Sequence, residues 1–154
     1  MTYKLNFYTQ YNQFYIADKS SPKNTGSRDF WTDEAYETRL AMGEGVLGVG
    51  TECYGPVKGE LDILDTCIAE IDSSRFDHIV EGGLDLSSGL LQVLDCPNTS
   101  VELEVNIKPG KYRVRIYSSN LASVHGDEGD DYYRIEIWPD NNMKRNLLKK
   151  YIQQ

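Results

Sequence analysis

The sequence predicts an all-β fold: an antiparallel β-sandwich with one short helix near the N-terminus and a C-terminal helix. Three observations carry this reading. Long runs alternate apolar and polar residues with period two, as strands with one buried and one wet face do. Gly, Pro, Asn and Ser clusters punctuate the chain between those runs. Two stretches break the alternation and space their apolar residues as helices do.

Taken in order, Tyr3, Leu5 and Phe7 share one face of a first strand, and Phe14 and Ile16 share a face of a second. Residues 18–29, rich in Ser, Lys, Asn and Gly, read as a surface loop. A helix is expected from Trp31-Thr32-Asp33-Glu34-Ala35, with Thr32 as its cap. Asp33 and Glu34 sit where the helix dipole favours negative charge. Tyr36 and Leu40 lie one turn apart, and Gly43 is the expected stop. Weaker strands are expected at 46–54, 57–64, 75–81 and 89–95. Gly82-Gly83, Ser87-Ser88-Gly89 and Pro97-Asn98 are read as breaks. Val101, Leu103, Val105 and Ile107 form the clearest alternation, followed by Tyr112, Val114 and Ile116. Pro109-Gly110 between them reads as a hairpin turn. Tyr133, Ile135 and Ile137 make the last strand, so Tyr132, Arg134, Glu136 and Trp138 face outward or toward the C-terminal helix. That helix is expected from Met143, Leu147, Leu148, Tyr151 and Ile152, capped by Asn141 or Asn142. It offers a surface for docking on the sandwich or for forming a homodimer.

A length of 154 residues fits a single sandwich domain over 1–154, with 141–154 as its basic helical tail. The formal charge is −8, from 16 basic and 24 acidic residues. Residues 1–140 alone hold 12 basic and 24 acidic residues, a balance of −12. Such a body repels phosphates, so nucleic acid is not an expected partner. A basic protein is. No window approaches the ~20 apolar residues of a membrane span, so no membrane partner is expected. The N-terminal alternation lacks the apolar core of a signal peptide. Cys53, Cys67 and Cys96 are odd in number and lack metal-ligand spacing, so free thiols and a cytoplasmic location are expected.

Catalytic chemistry is hard to assemble from this chain. It has two histidines, His78 and His125, and neither lies near a nucleophile motif. No cofactor or metal motif is present, and the chain does not read as an enzyme. Glu52, Glu60 and Asp62 on neighbouring expected strands are the only carboxylates placed for a hydrolase, and exposed strand acids are commoner than catalytic ones.

The most unusual local feature is the loop Val124–Tyr133. Asp127, Glu128, Asp130 and Asp131 fall within five residues, between glycines. It reads as a solvated connection, a calcium loop, or an acidic edge that pairs with Lys and Arg of a partner. The 11 tyrosines against 4 phenylalanines favour the last reading, because tyrosine combines area with a hydrogen bond. A β-sandwich module for calcium or carbohydrate is the alternative.

Tyr11-Asn12-Gln13-Phe14 followed by Asp29-Phe30-Trp31-Thr32-Asp33-Glu34-Ala35 resembles the opening of the competence protein J family. That family leads from a Tyr-x-Gln-Phe strand to a Trp-Thr-Asp-Glu-Ala helix start. Pro109-Gly110-Lys111-Tyr112 is similar to one of its turns. His125 and Asp131 with Tyr132 are similar to its closing His-Ala-Asp-Thr-Tyr segment. The resemblance covers most of residues 8–138, with 44–100 matching least. It implies an inhibitor of a DNA-entry nuclease or a related immunity protein against a nuclease toxin. The expected partner-binding residues are Asp127, Glu128, Asp130, Asp131 and Tyr132, with Trp31, Asp33 and Glu34 at the helix start.

Overall fold

The computed structural model describes residues 1–152. Eleven strands form two sheets packed face to face. In chain order they are β1 (Thr2–Tyr8), β2 (Gln13–Asp18), β3 (Leu40–Gly43), β4 (Val46–Gly50), β5 (Pro56–Ile63), β6 (His78–Leu86), β7 (Leu90–Leu94), β8 (Val101–Asn106), β9 (Gly110–Ser119), β10 (Tyr132–Pro139) and β11 (Asn146–Lys149). One sheet runs β1-β5-β10-β9-β6-β11 and the other β3-β4-β2-β7-β8. Every pairing is antiparallel except β5 with β10.

The core follows the period-two pattern. Tyr112, Val114 and Ile116 of β9 and Tyr133, Ile135 and Ile137 of β10 point inward, with Leu5 and Phe7 beside them. Phe14, Ile16, Leu47, Val49, Leu91 and Val93 meet them from the other sheet. The Phe7 and Phe14 rings pack edge-on at 5.6 Å across the sandwich.

The helix α1 (Asp33–Thr38) starts as expected, with Thr32 Oγ1 accepting from the Ala35 N–H at 3.1 Å. It stops five residues before the expected Gly43. Arg39 takes a left-handed conformation at φ 60° and closes the helix, which frees Leu40 to enter β3 as a core residue. Tyr36 is left on the exposed side of α1.

The expected C-terminal helix is absent. Residues 141–145 run irregularly, and β11 pairs antiparallel with β6. An open strand edge supplies hydrogen-bond partners along its whole length, and that outweighs the weak helix propensity of a short tail. Leu147 and Tyr151 pack against the core while Leu148 and Ile152 stay exposed. The helical self-association surface does not form.

Two turn expectations also give way. Gly82 and Gly83 lie inside β6 rather than breaking it. A Cβ on Gly83 would collide with Met143, so glycine lets the 141–145 segment cross close over the strand. Pro109-Gly110 is no hairpin: β8 pairs with β7 in one sheet and β9 with β6 and β10 in the other, so the turn carries the chain between sheets.

Parts of both outer sheet faces are covered too. Phe30 and Trp31 lie over Gly48, where a Cβ would stand 2.9 Å from the Phe30 ring. On the other sheet, Glu136 and Trp138, expected to face outward or toward a helix, are buried together with Arg113 and Arg115, whose guanidiniums donate to carbonyls of the 64–76 and 139–145 segments. Glu81 receives both arginines, from Arg113 Nε at 2.7 Å and Arg115 Nε at 2.5 Å. Tyr117 donates to Glu136 at 2.5 Å, and its pKa is pushed up to about 12 by burial and that carboxylate.

Candidate functional site

Four connections meet at one end of the sandwich: β1–β2, β4–β5, β7–β8 and β9–β10. Backbone hydrogen bonds stitch them together. Thr9 N donates to Gly55 O, Gln10 N to Cys96 O, Thr51 N to Asn12 O and Tyr54 N to Gly126 O, all between 2.8 and 3.0 Å. Thr9 Oγ1 also accepts from Cys96 N at 2.9 Å. Loops tied this way present their side chains at fixed spacing.

The acidic loop is a small folded unit. His125 and Glu128 exchange backbone hydrogen bonds at 2.7 and 3.1 Å around a left-handed Gly126 at φ 67°. Asp127 is thereby held at the tip, and Asp130 N anchors back to Ser123 Oγ at 2.9 Å.

Two open clefts lie side by side here. The first, about 940 Å³, has Tyr8, Tyr54, Lys58, Asp95, Asp127 and Glu128 in its lining. The second, about 620 Å³, includes Tyr11, Trp31, Tyr36, Arg39, Glu52 and Tyr54. Tyr54 borders both. Among the described residues, the exposed aromatic side chains are Tyr8 (75%), Tyr11 (61%), Tyr36 (68%) and Tyr54 (44%), and all four line these clefts. The exposed tyrosines are thus gathered at this one end of the sandwich, with carboxylates beside them.

The residues singled out from sequence divide into groups. Asp127 and Glu128 line the first cleft, and Trp31 lines the second. Trp31 Nε1 donates to Gln13 Oε1 at 2.8 Å and its ring lies 5.2 Å from that of Tyr36. Asp33 and Glu34 are exposed on the first turn of α1, and Glu34 pairs with Arg145 at 2.6 Å. Asp130 is exposed on the loop's return. Asp131 is buried, accepting from Tyr133 Oη at 2.6 Å and Cys53 N at 3.3 Å. Tyr132 points to the outer sheet face, where it donates to Glu60 at 3.2 Å. Asp95, Tyr8 and Tyr54 carried no sequence signal, because each comes from a different turn.

Neither buried thiol at this end is poised as a nucleophile. Burial, with Asp131 and Asp127 nearby, pushes the Cys53 thiol up, and burial pushes Cys96 up, so both stay protonated. Glu60 and Asp62 are engaged by Arg134, and Glu52 by Arg39 at 2.8 Å. Among the described residues, no three His, Cys, Asp or Glu side chains converge to hold a metal ion. No helix among them is long and apolar enough to cross a membrane.

No protein-family model matches the chain. No curated protein matches it significantly in sequence. A solved structure matches in fold: ComJ, inhibitor of the DNA degrading activity of NucA, from Bacillus subtilis, superposes with a TM-score of 0.67 at 16% identity. The match covers 91% of this chain and 99% of that one. The chain has the fold of ComJ. A second structure, described as crocagin biosynthetic gene J, matches with a TM-score of 0.59 at 16% identity, over 92% of this chain and 98% of that one. The family resemblance read from Trp31–Ala35 and the flanking motifs thus has the same fold behind it across nearly the whole chain.

Proposed function

We propose that this protein inhibits a nuclease by covering its basic active-site groove with the acid- and tyrosine-rich end of the sandwich. The observation that carries the reading is the gathering of the exposed tyrosines around clefts that also hold Asp95, Asp127 and Glu128. A groove built for phosphates presents Lys and Arg, and a surface of opposite charge is steered to it. Tyrosines then supply the desolvated anchors that slow release. The fold shared with ComJ supports the nuclease as target class, either a competence-type enzyme or a nuclease toxin. The three cysteines are free, as suits a reducing, cytoplasmic setting. The test is inhibition of DNA degradation. The purified protein is titrated against NucA and against nucleases encoded beside its own gene, with complex formation followed by gel filtration. Stoichiometric inhibition with co-elution is expected for at least one of them. Full nuclease activity at saturating protein in every case overturns the proposal.

A further inference from the structure

The C-terminal segment is fastened as a clasp across two layers. β11 pairs with β6, Arg145 reaches Glu34 and the Leu40 carbonyl, and Lys150 reaches Glu37 at 2.7 Å. The Tyr151 ring lies under the Arg39 guanidinium at 5.4 Å. Beneath the clasp sits His78, 1% exposed. Its Nε2 lies 2.7 Å from the Thr38 carbonyl, and its Nδ1 lies 3.0 Å from Tyr151 N. A carbonyl only accepts and an amide N–H only donates, so the ring must donate from Nε2 and accept at Nδ1. This fixes one neutral tautomer. An imidazolium carries hydrogen on both nitrogens and has no lone pair for Tyr151.

We infer that His78 is a proton-operated latch: protonation at Nδ1 expels the Tyr151 amide and releases the C-terminal clasp from α1 and β6. The surroundings favour the neutral, closed form. Burial lowers the His78 pKa, the hydrogen bond to Thr38 works the other way, and Arg39 and Lys150 lower it further. Both cations are themselves paired, with Glu52 and Glu37. Lys149 on the clasp turns away to the Ser73 carbonyl. Asp77 precedes His78, but its carboxylate accepts from Leu121 N at 2.9 Å. Opposite His78 on β9 stands uncharged Ser118. Among the described residues, no carboxylate is therefore bonded to the ring to hold its charge inside. Release also frees Arg39, whose partner Glu52 lines the second cleft, so the latch reaches the tyrosine-rich end.

Hydrogen exchange on the full chain tests this, with rates corrected for intrinsic pH dependence. One proton taken up on opening makes the open population rise about tenfold per pH unit below about 6.5, until pH reaches the lowered value of the closed state. Amides of 147–151 are expected to lose at least about tenfold in protection between about pH 7.5 and about pH 5, while β9 and β10 keep theirs. His78→Asn retains an acceptor near the Nδ1 position without a titrating group, and its clasp protection should be flat across that range. Tyr151→Pro, which lacks the N–H, should show low clasp protection at both pH values. Nitrogen-15 spectra of the wild type should show a bare Nδ1 at neutral pH. Equal wild-type protection at both pH values, a fall shared by the whole sheet, or a protonated Nδ1 at neutral pH overturns the latch.

Discussion

Tyr133 donates its hydroxyl to Asp131 Oδ2 at 2.6 Å, tying the acidic loop to the centre of the sandwich. The Tyr133 hydroxyl oxygen also accepts from Glu52 N at 2.7 Å, so one phenol serves two connections. Its ring packs 6.4 Å from Phe14, and burial with Asp131 nearby pushes its pKa far up. Asp131 is therefore part of the scaffold, whereas Asp127 and Glu128 are what the scaffold presents. Tyr133→Phe should lower stability by about 1–3 kcal/mol, because a buried carboxylate and the Glu52 N–H both lose a partner. Asp127→Asn should stay within about 0.5 kcal/mol of wild type. Urea denaturation of the two variants checks the division, and equal losses would refute it.

Glu81 is the hub of the buried network on the outer sheet face. It accepts from Arg113 and Arg115, while Arg115 also stacks on Trp138 at 4.8 Å. Arg113 further donates to the carbonyls of Asn142 and Lys144, and Arg115 to that of Ile68. Glu81→Ala leaves two guanidiniums under cover with less anion, a loss of about 3–5 kcal/mol. The covering segments should loosen with it. Limited proteolysis near residues 64–72 is expected to speed up in the variant, and unchanged cleavage with unchanged stability would show that the network is dispensable.

This network explains where the sequence could be read and where it could not. Alternation identified the inward faces of β9 and β10, because Val114, Ile116, Ile135 and Ile137 have nowhere to go but the core. The intervening Arg113, Arg115 and Glu136 look like a wet face, since period two reports polarity and not cover. They are buried because two later segments fold over them, and their charges are satisfied by one another. The tail misleads for a related reason. Met143, Leu147, Leu148 and Tyr151 fit a helical stripe, but the free edge of β6 is a property of topology and leaves no local mark. The candidate site is legible only in part. Asp127 and Glu128 are conspicuous as a cluster, while Asp95, Tyr8 and Tyr54 join them only through four stitched turns.

Asp18 gives the protein an acid-sensitive joint at the opposite end. It is buried, and its carboxylate accepts from the hydroxyls of Ser20, Ser87 and Ser88 and from Ser88 N. Burial alone would raise its pKa, but these donors outweigh it and the net shift is downward. The folded state thus holds the proton less tightly than the unfolded chain. Its contribution is fully present above about pH 4 and is lost as pH falls through the lowered folded value. Asp18→Asn should abolish that part of the acid limb, seen as a flatter urea midpoint between about pH 5 and about pH 2.5. An identical slope in the variant would place the acid sensitivity elsewhere.

Tyr54 stands between the two clefts and is stitched to the acidic loop by its own backbone N–H, 3.0 Å from Gly126 O. Tyr54 is 44% exposed in the free protein, so a partner covering both clefts must bury it. A centrally buried aromatic acts mainly on dissociation, whereas exposed rim charges act mainly on encounter. Tyr54→Ala should weaken the proposed nuclease complex by about 2 kcal/mol, expressed as faster release with little change in salt dependence. Asp127→Asn combined with Glu128→Gln should instead slow association and flatten its dependence on ionic strength. Surface-binding kinetics at two salt concentrations separate these effects. If Tyr54→Ala leaves the release rate unchanged while the acidic pair behaves as described, the interface is centred on the acidic loop and excludes the second cleft. If neither variant alters binding, the partner docks elsewhere on the sandwich.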